Sequence, residues 1–409
     1  MPTTEYQRSS SRTSAFLGRS ILSFRRNQVL TPSLMDSHND QDIHDLELFQ
    51  KHTSERFQHL SNDPTSLDGG GGGDNFLSLG WLRNLLDVYL CCEAEFKAVL
   101  ILGRDPSQFV KPPLDRLIPE LLDRAVKALD FCNAITNSID SILHWQKLAL
   151  LAVSVLEQDV LGEGQLRRVK KALTSLVASM VVDDKDGSSS TKTPERNWSF
   201  GRRGSTSAHH AAIHHPTNLR SFWWGVSRNW SASKQIQSMS SNLVAPRGGE
   251  STGLALPVYI MSTVLVFVMW VFVAAIPCQD RTGLSNHFQI PRQLSWTGPI
   301  IGLQDRITDE WKKKEKRGSV GLLDEIQRLE KCSQALIELA DTVQYPLEPE
   351  QLDEIKARTK ELSEVCRKME EGLVPLQRQI REVFHRIVRS RAEVLDFMDS
   401  TGKSSPFML

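Results

Sequence analysis

No phosphate-binding GxxxxGK(S/T) run, no GxGxxG after a strand pattern, no GxSxG and no HExxH occurs in the 409 residues. The usual sequence marks of nucleotide, dinucleotide, serine-hydrolase and zinc-peptidase chemistry are therefore missing. Cysteine is sparse, with six in all: Cys91, Cys92, Cys132, Cys278, Cys332 and Cys366. Only the first two are neighbours, and no C-x-x-C pair supplies zinc-ligand spacing. The pattern reads as reduced thiols in a cytosolic compartment. Net charge is absent too: 49 Lys and Arg balance 49 Asp and Glu. No global field recruits nucleic acid, and any electrostatic partner has to be met by a local patch. No strand pattern is found, and no apolar stretch of signal-peptide length follows a basic start. No catalytic residue, cofactor, metal or small-molecule substrate is expected.

What is present is helical periodicity. Apolar residues recur near every 3.6 positions over Leu77–Leu102, through Leu82, Leu85, Leu86, Tyr89, Phe96 and Leu100. The spacing predicts a longer helix over Leu114–Leu156, with Pro119 in its first turn. A third helix, Gln165–Val181, is basic on one side through Arg167, Arg168, Lys170 and Lys171. Helical patterning resumes at Ser221–Leu243 and stops at Ala245-Pro246-Arg247-Gly248-Gly249. Two long tracts follow, Ile300–Tyr345 and Glu348–Asp399.

The last tract carries two seven-residue series. Ile355, Leu362, Met369, Leu376 and Val383 form one; Cys366, Leu373, Ile380, Ile387 and Val394 form the other. Together they make a continuous apolar seam that predicts helical contacts with a partner. Gly372 and Pro375 predict a kink.

The fold class that results is all-α. It is an elongated bundle of long amphipathic helices with a disordered N-terminus and central linker, plus one strongly apolar helix. The expected organisation is a basic arm over 1–39, a helical region over 40–182, a linker over 183–216, an aromatic and apolar region over 217–299, and a long-helix hairpin over 300–400. The arm carries five arginines against Glu5 in its first 35 residues. Its Ala15–Leu30 stretch suits a basic amphipathic helix on an anionic membrane, and its composition also suits a plastid transit peptide. The five-glycine run Gly69–Gly73 reads as a tether.

From Ser251 to Gln279 no residue is charged. Within this stretch Val258–Ile276 is apolar over 19 residues, including Phe267, Trp270 and Phe272. That is near the length needed to cross a bilayer, and equally the composition of a bundle's central helix. If it crosses, the helices on its two sides cannot pack together. The group Trp198, Phe200, Phe222, Trp223, Trp224 and Trp230, interleaved with arginines, suits a membrane interface or a Trp-anchored core helix. Arg202-Arg203-Gly204-Ser205 fits a basophilic kinase site at Ser205. The HHxxxHH cluster, His209 to His215, lacks an accompanying acid or cysteine and reads as linker rather than metal site. The sequons at Asn197 and Asn229 are expected to stay unglycosylated, on a cytoplasmic N-terminal half.

The segments FLGRSILSFRRNQV, GVSRNWSASKQIQSMSSNLVAPRGGE, FVMWVFVAAIPCQDR and HFQIPR resemble the plant BYPASS-related, ROH-type family. The resemblance runs from about Phe16 to about Leu395. It implies recruitment of an exocyst tethering subunit and a role in secretion and development, with no catalytic motif to carry over. The expected function is a non-enzymatic scaffold in the cytoplasm and at a membrane, single-pass or peripheral, with protein and membrane lipid as partners and no nucleic acid. The competing reading is a soluble helical regulator of a developmental small-molecule signal.

Overall fold

The computed structural model describes residues 35–62, 76–102, 104–158, 161–181, 230–246, 253–278, 294–315 and 321–400, and isolated positions between 281 and 292. The basic arm up to residue 34, the five-glycine run, the aromatic residues from Trp198 to Trp224, both sequon asparagines, Ser205 and the histidine cluster lie outside them, while residues 35–39, expected to be disordered in that arm, are helical.

Among the described residues the chain forms helices and no strand. In chain order they are α1 (Met35–Ser61), α2 (Leu79–Ile101), α3 (Leu114–Leu156), α4 (Glu163–Val181), α5 (Ala232–Ser240), α6 (Ala255–Ala275), α7 (Gly298–Glu315), α8 (Asp324–Thr342) and α9 (Pro349–Asp399). At 1.5 Å per residue α9 alone is about 75 Å long.

Local chemistry sets the helix ends. Ser78 caps α2, its hydroxyl accepting from the Trp81 N–H at 3.2 Å. Ser231 caps α5 in the same way through Lys234. Its extended backbone starts the helix there; residues 221–229 of the expected Ser221–Leu243 tract lie outside the described residues. At the other end of α5 the buried Arg124 guanidinium donates to the Met239 carbonyl at 2.9 Å, satisfying a helix-end acceptor. Pro349 opens α9 at a position where its missing N–H costs nothing. Helical structure continues through Gly372 and Pro375. Pro119 lies one turn deeper in α3 than expected, inside the helix.

The apolar helix α6 is the core. All of its 21 residues are buried. α2 and α3 from before it, and α7 from after it, pack on it. The two sides also pack on each other: α9 lies against α2 and α3, α8 against α4, and α7 against α1. Regions 40–182 and 300–400 therefore build one body, with burial rather than crossing as the state of α6 here. A buried helix end needs partners for its last carbonyls. The Leu322 and Leu323 N–H groups supply them, donating to Ala274 and Ala275 at 3.0 Å each. Gly321 makes this approach possible: a Cβ there would stand 2.6 Å from the Ala275 oxygen.

That clip explains a departure from the expected Ile300–Tyr345 tract. The helix ends at Glu315, and α8 starts afresh at Asp324, after the strand-like contact with α6. The C-terminal hairpin is therefore α8 with α9, while α7 serves α1.

Candidate interaction surfaces

The residues singled out as a membrane segment, Val258, Phe267, Trp270, Phe272 and Ile276, are each at most 1% exposed. The Phe267 ring meets Phe57 of α1 edge-on at 5.7 Å. The Trp270 indole N–H donates to the Leu284 carbonyl at 3.0 Å. By length and composition alone, α3 and α6 are both apolar enough to cross a membrane. Trp230, expected at an interface or in a core, packs edge-on against Phe131 at 5.3 Å and is 7% exposed.

The partner seam, Ile355, Leu362, Met369, Leu373, Ile380 and Ile387, is also buried, at 3% exposure or less. Its partners are helices of the same chain, so the expectation of an external occupant is corrected. The direct ties are specific. The Gln146 amide donates to the Cys366 carbonyl at 2.9 Å, and the Gln377 amide to Asp140 at 2.9 Å. These fix α3 antiparallel to α9. Gln379 with Asp87, Arg386 with Glu93 and Lys97 with Glu393 set α2 parallel to it. Gly372 allows the start of α2 to come close, since a Cβ there would meet Leu79 Cδ1 at 2.7 Å.

Buried polar groups are used to join helices. Glu95 of α2 accepts two hydrogen bonds from the Arg56 guanidinium of α1, at 2.8 and 2.9 Å. His52 Nδ1 lies 3.3 Å away. Glu325 accepts from the Leu79 N–H with both oxygens, at 3.1 and 3.2 Å. Burial pushes the thiols of Cys92 and Cys332 up to about 11 and those of Cys132 and Cys366 up to about 12. Such thiols stay protonated at neutral pH and are poor nucleophiles. Among the described residues no three His, Cys, Asp or Glu side chains gather as a metal site.

Glu93 differs from Glu95. Burial raises its pKa, and the neighbouring Ser390, Arg386 and Lys97 offset only part of that. Arg386 stands 3.6 Å away. With the folded value above the unfolded one, the penalty is absent at low pH. It grows as pH rises from the unfolded carboxylate range through the raised value. Glu93→Gln is expected to melt with wild type at pH 4 and to be more stable at pH 7.5, by about 1 kcal/mol. Circular dichroism melts at both pH values check this. A lower midpoint for the variant at pH 7.5 rejects it.

Two surface features of α9 stand out among the described residues. One is an open groove of about 590 Å³ between the end of α3 and the first half of α9. Leu156, Leu161, Leu352 and the buried Thr359 line it together with Lys356, Lys360 and Arg367 and the acids Glu157 and Glu364. Arg367 is held by Glu364 and Glu371 at 2.6 Å. Lys356 and Lys360 are exposed, one turn apart, and in no ion pair among the described residues. The other feature is the outer face of the second half of α9, taken up below. Apolar periodicity marks neither; the sequence shows only a local excess of cations, and acids such as Asp353, Glu364, Glu382 and Glu393 stand three or four places from several of them.

The described residues define an all-α protein, one body built around a buried apolar helix. The chain belongs to the ROH1-like family, whose model "Protein ROH1-like" matches residues 1–398. It is 50% identical to Protein ROH1A of Arabidopsis thaliana over 96% of this chain and 97% of that protein. Protein ROH1D of the same plant is 43% identical over 97% and 98%. UPF0496 protein 4 of Oryza sativa subsp. japonica is 23% identical over 70% of this chain and 53% of its own length. No solved structure matches.

Proposed function

We propose that this protein is a non-enzymatic adaptor that works at a membrane surface and binds an exocyst tethering subunit, as its resemblance to the ROH-type family implies. The observation that carries this reading is the groove between α3 and α9. Its apolar lining residues beside two unpaired lysines fit an acidic amphipathic helix of a protein partner, by charge complementarity and by the length of four helical turns. Membrane residence on this reading is peripheral, because α6, the more apolar of the two candidate helices among the described residues, is wholly packed inside the body.

The test uses purified exocyst subunits, each mixed with the full chain and followed by size exclusion and titration calorimetry. One subunit is expected to co-elute. Lys356→Glu with Lys360→Glu is expected to weaken it at least about tenfold while the melting temperature stays put, since rim charges act on association more than on fold. Failure of every subunit to bind, or equal binding by the double variant, overturns the reading.

The burial of α6 favours a second reading, a soluble helical regulator of a developmental signal. It predicts no subunit binding and no sedimentation with membranes.

A further inference from the structure

The outer face of α9 changes character along its length. In the first half each arginine is neutralised locally. Arg358 pairs with Glu354 and Glu361, and Arg367 with Glu364 and Glu371. From Val374 to Ala392 the sequence carries five arginines and His385 against a single acid, Glu382. Arg386 turns in to Glu93. Arg378, Arg381 and Arg389 are exposed, and among the described residues no carboxylate pairs with them.

Val374, Arg378, Arg381, His385 and Val388 recur at helical spacing on the face away from the buried Leu376, Ile380, Val383 and Ile387, and Arg389 and the exposed Glu382 stand at its edge. Two of these side chains are apolar, Val374 at 48% and Val388 at 44% exposure. From Val374 to Ala392 the stretch runs for about 27 Å. Glu370 and Glu371 bound it at one end and Glu393, which pairs with Lys97, at the other.

We propose that this face docks on the anionic headgroups of a phospholipid bilayer. Three unpaired guanidinium groups present planar donor forks that match phosphate oxygens. The helix is held rigid from behind by the seam, so the arginines are arrayed before contact and little order has to be created on binding. The two valines add shallow apolar contact at the headgroup level. The face is the convex outer side of a single helix, which suits an extended charged plane better than a single acidic helix. The groove on the first half of the same helix has the recess and fits the protein partner. A bilayer bound along the second half therefore leaves the groove's own half of α9 for the partner.

This inference rests on the membrane-surface part of the proposed function, and its test separates the two. Full-length protein is sedimented with vesicles of phosphatidylcholine alone, or with added phosphatidylserine or phosphoinositide. Wild type is expected to bind the anionic vesicles and not the neutral ones, with affinity falling as salt rises. Arg378→Ala, Arg381→Ala and Arg389→Ala together are expected to lose about a hundredfold at low salt, since each basic group near such a surface adds about one tenfold step or slightly less. All three are exposed, so an unchanged melting curve is expected and checked. Lys356→Glu with Lys360→Glu serves as the control, expected to keep most vesicle binding. Wild type that ignores anionic vesicles overturns the inference. So does a triple variant that binds them like wild type, which would assign the contact to another basic segment. If the triple variant instead loses the tethering subunit and wild type never bound vesicles, the face is a protein contact. The lipid assignment then falls while the adaptor reading stands.

Discussion

Ile380→Asp is expected to unfold the protein or to cost about 3–5 kcal/mol, while Arg381→Asp beside it leaves stability within about 0.5 kcal/mol. The two positions are adjacent in sequence and opposite in environment. Ile380 is 2% exposed, in the seam that α9 turns toward α2 and α3. A carboxylate there would be buried in an apolar seam, and charge burial of that kind is among the largest single-residue penalties known. Arg381 points to solvent. Ile380→Val should cost only about 1 kcal/mol, because it removes one methylene and leaves a small void. Urea denaturation of the three variants reads all of this. Equal midpoints for Ile380→Asp and Arg381→Asp would show that the seam is not closed by the chain itself.

The second large effect is expected at the buried pair between α1 and α2. Glu95→Ala removes the partner of Arg56, whose side chain is 11% exposed and whose remaining close neighbour is the Cys92 sulfur at 4.0 Å. Leaving that guanidinium buried and unanswered costs about 3–5 kcal/mol. His52 loses its acceptor in the same step. Replacing both charges, Arg56→Met with Glu95→Leu, is expected to recover most of the loss. Well-packed apolar residues of similar volume often stand in for a buried ion pair with no net penalty. The comparison needs three equilibrium unfolding curves. A double variant no more stable than Glu95→Ala would mean that α1 depends on this pair for its position and not only for its energy.

Both effects come from contacts across the chain, whereas most helix limits come from the chain locally. The bounds of α3, the start of α9 within a residue, and the ten seam positions follow from side-chain periodicity, because a 3.6-residue repeat places those residues on one face whatever lies opposite. The arginine excess from Arg378 to Arg391 was legible by count, but not which arginines stay unpaired, since Glu382 and Glu393 stand four places from Arg378 and Arg389. Composition also identified Ser251–Gln279 as the most apolar stretch of the protein. It was unable to say what surrounds it, since lipid tails and packed side chains ask for the same uncharged surface. Only the tertiary structure decided that, by bringing α2 and α3 from one side of α6 together with α7 from the other, and by capping its last carbonyls with Leu322 and Leu323. The same holds for the seam. Heptad spacing specifies that a helix will lie along Ile355–Val394, but the identity of that helix depends on which apolar face elsewhere is free and within reach. Here α2, α3 and α8 of the same chain were, so hydrophobic burial was completed internally and the outside of α9 was left to charge.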